Sequence, residues 1–435
     1  MSIELITFIV MLGVFLVGCF ACKLPVSLSM VLSSIGGVIV GGFIGGLDLT
    51  LLDALRHLVE GMFSYVDTIL VISTAMVFMK VIEASGALDA VSSVIIEKFH
   101  KLPALMLCLI MIIVMFPGMI TGSSTAAVLS AGSIMAPVLA LMGIDAVTAG
   151  SIIAMGALLG MIAPPVNTAA LIICAGIDVP YVGFEGPLAL ITFPLAILFV
   201  LMLGYKQARH MDYEKLKPAL EKQDAVRKQY GARIYLPLLV LVALMIVFKV
   251  LKLGEDIGMP LMFLISAAVG LFTGKKINVL TAVPAAIRTA APVMGILMGV
   301  GMFIEVMTAT GVRGLVVISC LRLPSVLWLL ACAISIPLFG AVSSYGACSV
   351  LGVPFAYIYA SLLGGNSVVV LAAISLIAAV GDMMPPTALA GLFAAQVTGV
   401  KQYTQILKRC IVPIIILLVY ACFFLANSKL IAGLF

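Results

Sequence analysis

Apolar runs of about twenty residues, the length that crosses a bilayer as a helix, recur from one end of this chain to the other. The pattern predicts spans near 3–22, 26–46, 62–84 and 103–119, then apolar pieces near 124–142, 146–163 and 167–176 and a span near 186–205. After a charged stretch the spans resume near 235–251, 259–274, 289–309 and 325–339. Pieces near 345–363, 367–384 and 387–397 precede a final span near 409–432. Short segments of alternating hydrophobicity, which a membrane β-barrel requires, do not occur. The fold class read from this pattern is an all-α polytopic membrane protein.

Composition removes the alternative that length suggests. A chain of 435 residues could form two or three soluble domains, but 63% hydrophobic and 10% charged residues leave too little polar surface to cover them. The apolar stretch Ile3–Cys22 lacks a basic leader and a small-residue cleavage site, so it reads as the first spanning helix and not as a signal peptide. Nine cysteines lie mostly within apolar runs, and the Cys19/Cys22 pair has neither a second pair nor a nearby histidine, which favours a packing role. His57, His100 and His210 sit beside charged sequence, which leaves the spans without a histidine relay or metal ligand.

The polar segment Tyr205–Arg233 holds eight of the 24 Lys and Arg residues and four acids. An excess of Lys and Arg marks cytoplasmic loops, and the mixture of signs argues against a nucleic-acid partner. The segment 206–234 divides the chain into halves 1–205 and 235–435 that echo each other. "FMKVIEASG" (Phe78–Gly86) resembles "FIEVMTATG" (Phe303–Gly311), and "TGSSTAA" (Thr121–Ala127) corresponds to "AVSSYGA" (Ala341–Ala347). From Ser124 to Pro164 is 40 residues and from Ser344 to Pro385 is 41. An internal repeat is expected, each copy carrying a hairpin (near 103–142 and 325–363) and a broken helix (near 146–176 and 367–397).

The proline pairs Pro164–Pro165 and Pro385–Pro386 give the repeat its chemistry. Each removes two backbone donors and ends a helix in mid-membrane. A break survives there only inside protein or beside a wet cavity, where freed carbonyls suit Na⁺ and new helix N-termini suit a carboxylate. Ser123, Ser124 and Thr125 at one hairpin tip, and Ser343 and Ser344 at the other, offer hydroxyls to a cation or an anion; simple helix capping by Ser124 and Ser344 is the alternative. Asn167 and Thr168 follow the first proline pair and Thr387 the second, each placing an oxygen at the start of a half-helix. Asp382 is an ionisable group deep in an apolar run, expected to bind Na⁺ or a proton unless a distant arginine pairs with it. Lys80, Glu83 and Glu305 fall toward span ends, where side chains snorkel to water; Arg288 and Arg313 read as interfacial.

The same residues resemble the large membrane subunit of tripartite ATP-independent periplasmic (TRAP) transporters, within a wider ion-transporter superfamily. The resemblance rests on "KLPVSLSM" (Lys23–Met30), "GSSTAAVLSAGSIMAPVLALMGID" (Gly122–Asp145), "GMIAPPVNTAALIICAGIDV" (Gly160–Val179) and "GDMMPPTALAGLFAAQVTGV" (Gly381–Val400). It implies an elevator-type importer of small carboxylates, coupled to Na⁺, in a bacterial inner membrane. It further implies an extracytoplasmic substrate-binding protein and a separate membrane subunit of about four spans, not fused here because the chain opens on the large subunit's own first helix. By position, one Na⁺ site would use Ser123, Ser124, Pro164 and Asn167, and a second Ser343, Ser344, Asp382 and Thr387. The run "LFGAVSSYGA" lacks the acidic residue that the family commonly carries in its second hairpin. This leaves open a single-component Na⁺- or H⁺-coupled carboxylate transporter of the same superfamily. An intramembrane enzyme would need a base beside its nucleophile, and no span holds a histidine and no G-x-S-x-G turn occurs; a primary pump would need a G-x-x-x-x-G-K-[ST] phosphate loop, which the sequence lacks. A channel has no use for two equivalent breaks.

Overall fold

The computed structural model describes residues 2–45, 50–209, 225–251, 258–322, 324–341, 344–385 and 388–435. Helices account for every regular element among them, and nine are long and apolar enough to cross a membrane. The chain is a polytopic all-α membrane protein. Most boundaries fall within a few residues of those read from hydropathy, with two instructive differences. The helix Val279–Ala309 starts ten residues before the expected 289, because Asn278 caps it by accepting from the Leu280 N–H at 3.0 Å. Arg288 lowers the local hydropathy but is a good helix former, so the helix runs through it. Tyr403–Ala426 likewise begins six residues early, across Lys408 and Arg409.

Three helices escape a search for spans. Leu51–Phe63 is held at its start by a reciprocal box in which Thr50 and Asp53 each accept from the other's backbone N–H. Its Leu51, Leu52, Leu55 and Val59 are exposed on one side and Asp53, Arg56 and Glu60 lie between them, the pattern of a helix along a membrane surface. Ala87–Phe99 and Val312–Leu321 are also too short and too polar to span.

Two helix pairs stand where the sequence predicts hairpins, with residues 342–343 of the second outside the described residues. Pro103–Thr121 turns at Gly122 into Ser124–Leu141, and Ser325–Gly340 is followed by helical turns from Ser344 to Leu362. Each returning arm opens with four α-helical residues, Ser124–Ala127 or Ser344–Ala347, and then widens into i→i+5 turns over Val128–Gly132 or Cys348–Gly352. Such wide turns concentrate at functional sites. Two central helices are interrupted near the proline pairs, with residues 386–387 of the second outside the described residues. The first runs Ala146–Ile162, stops, and restarts as Thr168–Gly176. The second runs Ser367–Ala379, tightens over Val380–Met383, and restarts as Leu389–Thr398.

The broken helices occupy the centre. Every residue from Thr148 to Ile162 and from Val369 to Ala379 is buried. The two run antiparallel: a Cβ on Gly150, early in the first, would lie 3.0 Å from the Thr398 hydroxyl, the last residue of the second. Around them pack Pro103–Thr121, Glu185–Ala208 and Tyr403–Ala426. An outer group of Ile3–Phe20, Val26–Ile44, Val66–Ser85, Met259–Thr273 and Val279–Ala309 packs mainly on itself. Glycine sets how closely a hairpin approaches its broken helix. A Cβ on Gly160 would sit 2.5 Å from the Met115 carbonyl, and one on Gly381 would sit 2.5 Å from the Gly340 backbone. Gly160 and Gly381 each stand four residues before the first proline of their break. Lipid offers no less apolar an environment than a protein interior, so close backbone packing of this kind supplies the association that water supplies in soluble folds.

Candidate functional site

The first hairpin tip is built by a division of labour between two serines. Gly122 takes a left-handed conformation (φ +62°) and its N–H bonds the Gly118 carbonyl at 2.7 Å, closing the incoming arm. Ser123 is the cap of the outgoing arm, its Oγ accepting from the Ala126 N–H at 3.3 Å. Ser124 is thereby released from capping. Its hydroxyl donates to the carboxylate of Asp382, which belongs to the second break. Both side chains are buried.

The first break is braced on all sides. Ala163 turns extended, the Val166 N–H bonds the Met119 carbonyl on the hairpin at 3.1 Å, and Pro164 stays half-buried. The Tyr181 hydroxyl donates to the Pro165 carbonyl at 3.1 Å and accepts from the Asn167 N–H at 3.2 Å. Asn167 caps the second half-helix, accepting from the Ala170 N–H at 2.9 Å, while its amide donates to Ser375 Oγ at 2.8 Å on the second broken helix. Its side chain therefore cross-links the two central helices. Thr168 is different. It is fully buried and its Oγ1 has no hydrogen-bond partner among the described residues. The hydroxyl lies where the break meets the hairpin tip, 2.1 Å from where a Cβ on Gly122 would be. An unmet buried hydroxyl costs about 1–3 kcal/mol, so an oxygen held there without a partner fits the wall of a cation site.

At the second break, Asp382 closes the tight turn Val380–Met383 and Met384 is extended. Ala388 is left-handed at φ 40°, a strained conformation for a residue with a Cβ, and the half-helix starts at Leu389. Ser343 and Thr387 lie outside the described residues, as does the Ser344 side chain; the Ser344 backbone opens its helix. The expected pairing of each tip with its own break is thus only part of the geometry. The first tip stands between both breaks, with Gly122 against Thr168 and Ser124 on Asp382.

Ser123, Ser124, Thr125 and Asp382 face a cavity of about 420 Å³. Its opposite wall belongs to the outer group and carries Lys80, Glu83 and Thr289. Lys80 Nζ and Glu83 Oε2 are 3.0 Å apart, and both side chains are only partly exposed. By sequence these two fall toward a span end, and in the structure they line the cavity. The clue was present as two charges three residues apart within an apolar run, but sequence does not say whether that face meets lipid headgroups or a cavity. The cavity lies toward the end of Val66–Ser85 whose following Gly86 meets Val226, within the charged linker.

A second cavity, about 360 Å³, opens near the other end of the first broken helix and is lined by Tyr65, Cys174, Asp178, Glu305 and Arg313. Here outer and central groups are bonded. Tyr65 donates to the Ile172 carbonyl at 3.0 Å, and Arg313 donates to the Gly176 carbonyl at 2.7 Å, a cation at a helix C-terminus. Arg313 also lies 6.0 Å from the Tyr357 ring on the second hairpin. Its expected interfacial role is only a partial description. Tyr65, Tyr181 and Ser375 carried no signal that sequence could offer, since their partners are distant backbone and amide groups.

The family model for the DctM component of the tripartite ATP-independent periplasmic transporters matches residues 12–428, nearly the whole chain. No curated protein matches it. The chain belongs to that family, which is one of transporters and not of enzymes.

Proposed function

We propose that this TRAP transporter large component imports small organic anions, carboxylates foremost, by coupling them to Na⁺. The observation that carries the reading is the buried Asp382 at the tip of the first hairpin. Among the described residues the 420 Å³ cavity offers two acids, Asp382 and Glu83, against one base, Lys80. An anion entering alone meets net negative charge at low dielectric, an unfavourable encounter. A cation that arrives with it neutralises Asp382 and removes the repulsion, which makes co-transport an electrostatic requirement. The coupling ion is Na⁺ on the strength of its surroundings: the hydroxyls of Ser124 and Thr168 and the opened backbone of Pro164–Asn167 offer oxygen ligands, and no histidine lines the main cavity among the described residues. Asn167, already bonded on both amide atoms, serves mainly to hold the break. Ser343, Ser344 and Thr387 complete an equivalent second site by repetition of the first.

The antiparallel broken helices and the matching hairpins support two inverted repeats, and the separation of outer and central groups supports movement of the centre against the periphery. The basic residues Lys98, Lys101, Lys206, Arg227 and Lys275 gather at the linker end. Arg227 bonds Glu97 at 2.7 Å and the Lys275 N–H bonds the Ser85 carbonyl at 3.2 Å, so that end faces the cytoplasm of a bacterial inner membrane. The main cavity is then open inward. A small membrane subunit of four spans and an extracytoplasmic substrate-binding protein complete the tripartite system.

The test is uptake of a labelled carboxylate into proteoliposomes holding the chain with its membrane and binding-protein partners. Uptake should cease when choline replaces Na⁺. Full uptake driven by a proton gradient in choline would overturn Na⁺ coupling and leave Asp382 as a proton site.

A further inference from the structure

The Lys80–Glu83 pair is not needed for the fold. It joins residues three apart on one helix, with side-chain exposures of 39% and 40%, and such pairs contribute at most a few tenths of a kcal/mol. It nevertheless stands on the wall of the main cavity, across from the hairpin tip, and Lys80 is the sole base among the described residues that line it. The three charges there differ in what they can do. Asp382 is buried and held by Ser124, so it stays in place. Glu83 is exposed enough to be hydrated if its partner leaves. Lys80 has a flexible stem and three donors, of which Glu83 engages one oxygen's worth.

We infer that Lys80 is a carboxylate-binding residue of the cavity: an anionic substrate displaces Glu83 from the ammonium and binds between Lys80 and the Thr125 hydroxyl. This rests on the transport reading above and deepens it by assigning the substrate's charged end. The exchange swaps one exposed ion pair for one in a narrower space, and hydration of Glu83 offsets its loss. Lys80 belongs to the outer group and the tip to the central one. When the centre moves, the substrate must leave Lys80 behind, so the contact exists only while the cavity faces the linker end. Lys80 thereby acts on the side from which substrate departs or re-enters the cytoplasm.

The test uses the full chain in nanodiscs with saturating Na⁺, and measures calorimetric affinity for succinate, glutamate and gluconate, with succinamide as an uncharged control. Lys80→Met should weaken the best-bound acid at least about tenfold, the usual loss for one charge-assisted bond. Lys80→Arg should stay within about threefold of wild type, since the cation remains. Glu83→Gln should tighten the acid several-fold by removing the competing carboxylate. The Na⁺ affinity measured without acid should be unchanged in all three. If Lys80→Met binds the acid as wild type does, or if Glu83→Gln weakens binding as much as Lys80→Met, the pair is structural and the inference falls while the transport reading stands. If wild type binds none of the acids better than succinamide, the carboxylate reading falls and takes Lys80 with it.

Discussion

The hydroxyl of Ser124 donates to the carboxylate of Asp382, joining the tip of the first hairpin to the break in a helix 258 residues further along the chain. This bond spans the two halves of the molecule. It places the charge of one half on the hydroxyls of the other, which is where a cation would have to sit to bind both.

Asp382→Asn keeps size and hydrogen bonding and removes the charge. A neutral amide is easier to bury, so the variant should insert and fold. Its half-saturating Na⁺ in transport should rise at least several-fold, from a loss of about 1–4 kcal/mol at an effective dielectric of about 20 or more. Ser124→Ala should shift it in the same direction by less. Unchanged Na⁺ dependence in Asp382→Asn would assign the carboxylate a purely structural role.

Thr168→Val tests the unpartnered hydroxyl. If Oγ1 serves only the fold, removing it relieves an unsatisfied group and the protein gains roughly 1 kcal/mol whether or not Na⁺ is present. If it binds the ion, the same gain appears only without Na⁺. Wild type should then be stabilised by Na⁺, by about 2.7 kcal/mol at a hundred times Kd, and the variant by much less. Thermal unfolding with Na⁺ against choline separates the outcomes.

Asn167→Ala removes a cap and the bridge to Ser375 together. Each bond contributes about 1 kcal/mol and the Ser375 hydroxyl keeps its own donation to the Ala372 carbonyl, so a loss of about 2 kcal/mol is expected. Thermal unfolding in choline, where no ion contributes, reads this directly. A loss that appears only in Na⁺ would instead make Asn167 an ion ligand.

Gly381→Ala should be strongly disruptive for a single added methyl. The added Cβ would fall 2.5 Å from the Gly340 backbone, which has no flexible end to yield, and overpacking of that kind costs about 1–3 kcal/mol or more. Gly13→Ala is the control: nothing lies within 4 Å of its Cβ position, and alanine is the better helix former. Folded yield and unfolding temperature should fall for the first and hold or rise for the second.

Tyr65→Phe deletes one bond between outer and central groups without changing packing. A loss of about 1 kcal/mol from the state with this contact should shift the balance between cavity orientations by about fivefold. Accessibility of a cysteine at Asp178, read with a membrane-impermeant thiol reagent on a background without native reactive thiols, reports that shift. No change in labelling would mean that the bond persists in both orientations.

The sequence alone determined what depends on neighbouring residues. Twenty apolar residues make a spanning helix wherever they occur, and Pro164–Pro165 and Pro385–Pro386 break a helix because each ring clashes with its own preceding turn. Gly122 and Ser123 turn the first hairpin through a left-handed residue and a local cap. The three short helices lie outside what hydropathy reveals for a related reason: at ten to thirteen residues they are too short to register as spans. Only the tertiary structure decided which tip meets which break, that Asn167 is used up in a bridge to Ser375 while Thr168 keeps its hydroxyl free, and that Lys80 and Glu83 line a cavity. In a bilayer, lipid, a buried helix face and a cavity wall all tolerate the same apolar run. The position of a charge along a span therefore says that something must solvate it, and the packing of distant helices determines what does.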